Sequence, residues 1–409
     1  MYLTQFEKKM LAGEFGVGDQ EAMKLLVAIG DALGAERMVE ISRAHVSFTH
    51  FPSDKWYTSK MLADGARCRI SPTNNPLYDV DYLEKSGFGD PVGHKEHLRS
   101  VKDTFQKLGI TLTYSCTPEI QQNVPRFGEH VAFAESSATP YVNAVCGARS
   151  NRESAKSAFA AAVTGRTPLY GFHLDENRYG DTLINVETAI TDDFDYHLLG
   201  YVASQKMGFG VPVFTGMPKN PTQEELVSFG AQLATGGSVG MYHIVGVTPE
   251  APDIETAFHG NTPHRTITIT SKDLNDVQKK LSKGGDKIDF VMFGCPHYSI
   301  TQIVEIARDL NGRQIHGDID FWILASAATR RLAGDMGLLD IIEKAGGHIM
   351  ENTCADDSCW WKIYGGKVGV TDSVKAAYYT PRMGVDFHLR RRSECVEIAI
   401  KGGFVNENQ

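Results

Sequence analysis

The chain has no apolar run long enough to span a bilayer, so a membrane-crossing helix is excluded from the sequence reading. It has no Lys/Arg tract able to follow a phosphate backbone, and its formal net charge is −9. Nucleic acid is therefore not expected as the main partner. The densest basic stretch, Arg390-Arg391-Arg392, reads as a solvated or carboxylate-binding cluster. No C-x-x-C pair occurs, and the 7 cysteines are spread thinly. That odd number suits reduced cytoplasmic thiols better than a disulfide framework. There is no P-loop, and the runs Met207–Pro212 and Gly236–Gly240 lack the strand-then-helix frame of a dinucleotide fingerprint. Internal repeats and low-complexity tracts are also missing. The amino terminus is charged and reads as a helix start, not a secretory leader.

What is there is the composition of a soluble globular protein, 42% hydrophobic and 22% charged over 409 residues, enough for two or three domains. The last third alternates clearly. A strand over 288–293, a helix over 299–310 capped by Ser299 with Gln302, a strand over 321–325, helices over 327–335 and 338–344, and a strand over 348–351 are expected. Such alternation predicts an α/β fold with a parallel sheet. Earlier, Asp19 is expected to cap a helix through Met23 and Leu26, 110–114 to form a strand, and 154–163 a helix ended by Gly165. The expected division is an N-terminal helical region (1–65), a glycine-rich α/β substrate-binding region (66–265), and an α/β subdomain with strand-end cysteines (266–409).

Cys295 and Cys354 each follow an expected strand of one sheet, the edge where open α/β sheets place their chemistry. With Cys395, they could supply three thiolates to an iron–sulfur or other metal centre that keeps one position open to a substrate oxygen. The competing reading makes them small buried hydrophobes. Cys68, Cys116 and Cys146 read as packing residues, and Cys354/Cys359 offers a weaker zinc pair that would suit a zinc hydrolase. His297 reads as a donor beside the centre or as a structural histidine. Glu129, His130, Glu135, Ser136 and Ser137 are acid/base and hydrogen-bonding types close together, and Asn151 with Arg152 suits a carboxylate. A structural polar network would explain any one of them equally well. Ser373 is expected to cap a helix containing Lys375, an anion contact or a surface lysine. Thr73 and Asn74, in the loop-rich stretch after Arg67, are counted as substrate contacts.

Taken together, several ordered motifs resemble the catalytic, large-subunit part of the aconitase X family. They are Leu11-Ala-Gly-Glu14, Asn123–His130, Ala134–Ala138, Gly147–Glu153, Thr164–Gly171, His173–Arg178, Gly294–His297, Asn352–Cys354, Asp372–Lys375 and Cys395. The resemblance covers nearly the whole chain. It implies an aconitase-like catalytic region of parallel-sheet αβα subdomains and an iron–sulfur cluster on Cys295, Cys354 and Cys395, its nuclearity open. It further implies a hydro-lyase dehydrating a small hydroxy acid, of the cis-3-hydroxy-L-proline or mevalonate 5-phosphate type. In that family a small swivelling domain closes the site and supplies a catalytic serine. The chain ends at Gln409, so that domain is expected as a separate small subunit. Ser154-Ala155, Asn352 and the segment Ser71–Pro76 depart from the family pattern and bear on the substrate. The alternative from another class is a non-catalytic iron–sulfur redox or iron-sensing protein.

Overall fold

Parallel pairing organises nearly every strand of the computed structural model, which describes residues 1–404. The largest sheet has the order His348–Glu351, Asp320–Ala325, Phe290–Tyr298, Val368–Thr371, Asp386–Leu389, with every neighbouring pair parallel. Its strands are apolar on both faces because helices cover both. Phe290, Met292, Trp322 and Leu324 enter one core; Val291, Phe293, Phe321 and Ile323 enter another. The period-2 alternation of side chains thus feeds two cores from one run of residues.

A second parallel sheet joins His243–Ile244, Pro212–Thr215, Thr182–Glu187 and Arg265–Thr270. A third, smaller one joins Thr73–Asn74, Arg43–Val46 and Val131–Phe133, and Met38–Glu40 pairs antiparallel with Arg166–Pro168. No helix among the described residues is long and apolar enough to cross a membrane.

Local signals act as the sequence leads one to expect in most of the last third. Ser299 caps Ile300–Leu310 in a capping box with Gln302, and the helices Ala327–Asp335 and Leu338–Lys344 fall where they were expected. Ser154 caps Ala155–Thr164, which ends at left-handed Gly165. Two expectations differ. The helix Val17–Ala32 begins before Asp19, which sits in its first turn and pairs with Arg69. Residues 110–114 make only a single bridge, Thr111 to Thr73, and Tyr114 turns the chain at a φ of 45°. The Arg390–Arg392 cluster binds carboxylates of this same chain: Arg391 takes Asp192 and Asp195, and Arg392 takes Asp193 and Glu305.

Candidate active site

The strand Phe290–Tyr298 breaks register between Phe293 and Tyr298, and Gly294 makes the break possible. Its φ is 101°, and a Cβ there would stand 2.2 Å from the Leu324 carbonyl oxygen. Only glycine accepts both conditions. The irregularity presents Cys295 to a cavity of about 270 Å³ whose walls include Asn75, Cys116, Glu135, Ser136, His297, Cys354, Lys375 and Tyr379. Ser373, capping the helix Val374–Tyr379 through the Ala376 N–H, also donates to the Cys295 carbonyl oxygen. The cap therefore fixes Lys375 relative to Cys295.

Three thiols share this cavity: Cys116, Cys295 and Cys354. The third is not the expected one. Cys395 lies in the helix Arg392–Lys401, buried in the core on the other face of the main sheet, with its thiol against the Arg390 carbonyl. Cys116 takes its place. The backbone N–H of His297 donates to Cys116 Sγ at 3.3 Å, a contact that favours the thiolate. Burial pushes the Cys295 thiol up to about 11, and the Lys375 ammonium opposes that rise. Burial likewise raises Cys116 and Cys354, and each is raised further by the charge of a neighbouring cavity cysteine. Among the described residues no three His, Cys, Asp or Glu side chains already surround one ion-sized point. Three thiols distributed round a cavity suit a multi-iron sulfur group better than a single ion. Cys359, the other half of the expected zinc pair, is fully buried in the first core.

Opposite the thiols stands a charged cluster. Lys375 Nζ lies 3.2 Å from Glu135 Oε1, 2.9 Å from Ser136 Oγ and 3.0 Å from Ser137 Oγ. Glu135 also accepts from Asn75 Nδ2 at 2.5 Å and from the Ser137 N–H at 3.0 Å. Burial works to raise its pKa, but Lys375 and those donors outweigh it and hold it at about 2. His297 is buried and pushed down to about 4 by that burial; its Nε2 donates to the Thr353 carbonyl at 2.8 Å. Arg152 is exposed and makes no hydrogen bond or ion pair among the described residues, although Tyr379 and Glu135 act on its charge.

Other expected residues do structural work away from the cavity. Thr73 holds His45 and Asn123, and Asn74 holds the Tyr114 N–H; the neighbouring Asn75 is the one that lines the cavity. Glu129 is taken up by Arg43 and Arg126, and His130 by His173 at 2.9 Å. Asn151 secures the turn at Gly171 by bonds to Tyr170 and Phe172. The strand expected over 110–114 puts Cys116 at a strand end as well, yet from sequence it reads as a packing residue; in the structure only a single bridge forms there. The available signal was its place in Ser115-Cys116-Thr117-Pro118, a cysteine close before a proline turn, as Cys295 is.

Fold and cavity together define an α/β enzyme chain with a thiol-lined, cation-bearing site. Comparison with known proteins makes the assignment specific. The chain belongs to the aconitase X family: the descriptions aconitase X first, second and third domain match residues 1–176, 180–279 and 288–401. It is 38% identical over 396 residues to the phosphomevalonate dehydratase large subunit of Methanothermobacter thermautotrophicus, covering 94% of this chain and 96% of that one. It is 32% identical over 412 residues to the cis-3-hydroxy-L-proline dehydratase of Pseudomonas aeruginosa, covering 98% of this chain and 70% of that one. The crystal structure of Thermococcus kodakaraensis aconitase X in its holo-form superposes with a TM-score of 0.87 at 33% identity, over 98% of this chain and 100% of that one. The homologues are dehydratases, which places this chain with them in the hydro-lyase class, and the holo-form of the relative implies a cofactor.

Proposed function

We propose that this chain is the large subunit of a hydro-lyase that removes water from a small hydroxy acid, with an iron–sulfur cluster held by Cys116, Cys295 and Cys354. The observation carrying this reading is the convergence of those three thiols with the Lys375–Glu135 pair on one cavity. Three thiolates would hold such a cluster, which when bound would supply Lewis-acid chemistry to the substrate hydroxyl. Arg152, exposed and close enough to Glu135 and Tyr379 of the cavity wall for their charges to act on it, takes the substrate carboxylate with its planar fork. Glu135, expected from the sequence as a possible acid, is held ionised. It therefore serves to keep Lys375 charged and aimed. Lys375, its pKa raised by Glu135 against the effect of burial, holds the proton nearest the departing hydroxyl at Nζ. The base that takes the α-proton comes from a separate small subunit, a partner supported by the large-subunit naming of several relatives.

Anaerobic purification with and without that partner tests the proposal, with mevalonate 5-phosphate and cis-3-hydroxy-L-proline each assayed for loss of water. Turnover by iron-free protein would sink the cluster assignment. Undiminished turnover by this chain alone would sink the two-subunit arrangement. A cluster whose EPR spectrum ignores both substrates, with no turnover of either, would favour the sensing alternative.

A further inference from the structure

Behind the turn that carries Cys354, three histidines gather against the start of the helix Ser358–Tyr364. His50 follows the strand Arg43–Val46, while His94 stands at the N-cap position of the helix Lys95–Leu108 without a capping bond and His97 sits in its first turn. The His-x-x-His spacing sets the last two on one helix face. The ring centroids lie 5.7 Å apart for His50 and His94, 6.3 Å for His50 and His97, and 5.3 Å for His94 and His97.

His50 is 1% exposed, and its Nε2 stands 3.2 Å from Asp357 Oδ2. The carboxylate holds a proton on Nε2 and leaves a lone pair on Nδ1. That Nδ1 is buried and has no hydrogen-bond partner among the described residues, and the same holds for His94 Nδ1. His97 donates from Nε2 to the His50 carbonyl, which leaves its own Nδ1 as the acceptor nitrogen. Buried lone pairs without donors are destabilising, and no donor reaches either nitrogen among the described residues. Carboxylate-oriented imidazoles with a free second nitrogen are what divalent metal sites use.

We propose that His50, His94 and His97 form a binding site for one divalent ion of imidazole preference, zinc in the first instance, distinct from the thiol cavity. Tetrahedral ligation with Zn–N distances of about 2 Å sets ring centroids roughly 5 Å apart, and the observed separations are wider by roughly 0.3 to 1.3 Å. No three such donors are already at ion-binding geometry among the described residues, so the ion draws the half-buried His94 and His97 inward by side-chain rotation. Through Asp357 the site reaches the catalytic wall: the Asp357 N–H donates to the Cys354 carbonyl at 3.2 Å, and Trp360 Nε1 donates to the same oxygen at 2.9 Å. An ion here ties the 47–51 loop and the 95–108 helix to the turn bearing Cys354.

The test reads zinc and not turnover, so it stands or falls independently of the dehydratase reading. The full-length, iron-loaded chain is titrated with zinc against a competing chelator, and bound metal is counted by mass spectrometry. One zinc per chain is expected, with affinity weakened more than about 10-fold in His94→Asn and in His97→Asn, while iron and sulfide contents stay unchanged. Both residues are partly exposed, and circular dichroism confirms that the variants fold. X-ray absorption at the zinc edge should show nitrogen and oxygen neighbours only. Absence of bound zinc, an affinity in both variants unchanged from that of the unsubstituted chain, or sulfur neighbours would each overturn the proposal.

Discussion

Lys375 and Glu135 form a buried ion pair 3.2 Å long that joins the third family segment to the first across the candidate site. Neither side chain is more than 14% exposed, so losing one partner leaves the other largely desolvated. Lys375→Met should abolish turnover. It should also destabilise the fold by about 3–5 kcal/mol, because an unpaired carboxylate stays buried. Urea melts and steady-state kinetics of the reconstituted enzyme check both effects. Adding Glu135→Gln to that variant should recover much of the stability and none of the activity.

The cysteine assignment makes a paired prediction. Cys116→Ser should lose most of the bound iron and the visible absorbance that accompanies it. Cys395→Ser should keep both, and lose about 1–3 kcal/mol of stability for a hydroxyl placed in an apolar core. Iron and sulfide assays on the two variants separate the outcomes; a Cys395→Ser protein without iron would contradict the structural placement.

Under the proposed assignment Arg152 binds the substrate carboxylate, and its side chain makes no hydrogen bond or ion pair among the described residues. Arg152→Ala should raise KM at least about tenfold, as expected when a charge-assisted contact to a carboxylate is lost. The thermal midpoint should barely move. Measured KM and differential scanning calorimetry decide this, and a large fall in midpoint would show that the guanidinium is structural.

Glu119 supplies a pH signature. Its carboxyl is buried with neither oxygen hydrogen-bonded among the described residues, and burial pushes its pKa up to about 8 from 4.5. The folded chain therefore holds a proton that the unfolded chain releases. The resulting stabilisation is complete below about pH 4.5, declines as pH rises, and is gone above about pH 8. Glu119→Gln should flatten that decline, by on the order of a few kcal/mol across the window. Urea melts of both proteins at stepped pH provide the comparison.

Much of this was legible from residue order. Ser299 with Gln302, Ser373, and the alternation through 320–351 are local signals, and the structure places them as the sequence predicts. Lys375 and the 135–137 stretch were recognisable as chemistry-bearing types, and they meet. What escaped depends on long-range packing. Cys116 reaches the cavity because the chain turns at Tyr114 and not because a strand delivers it. Thr73 and Asn74 face neighbouring backbone and His45, while Asn75, one residue on, faces the cavity. Side-chain alternation separates Asn74 from Asn75, while Thr73 and Asn75 share the His45 ring and only Asn75 reaches on to the cavity. Asn151 and Arg152 show the same effect, the first sealed into a turn and the second left free.

The origin of the three cavity thiols has a consequence for how the protein is made. Cys116 leaves the ribosome long before Cys295, and Cys354 comes last. Until the strands around 290–351 have assembled and docked, Cys116 is a solitary thiol on an unfinished wall, open to oxidants and to stray metals. If the three thiols hold the proposed cluster, it can be assembled only on the nearly complete chain. A truncated product ending short of Cys354 would carry reactive sulfur with no means of sheltering it.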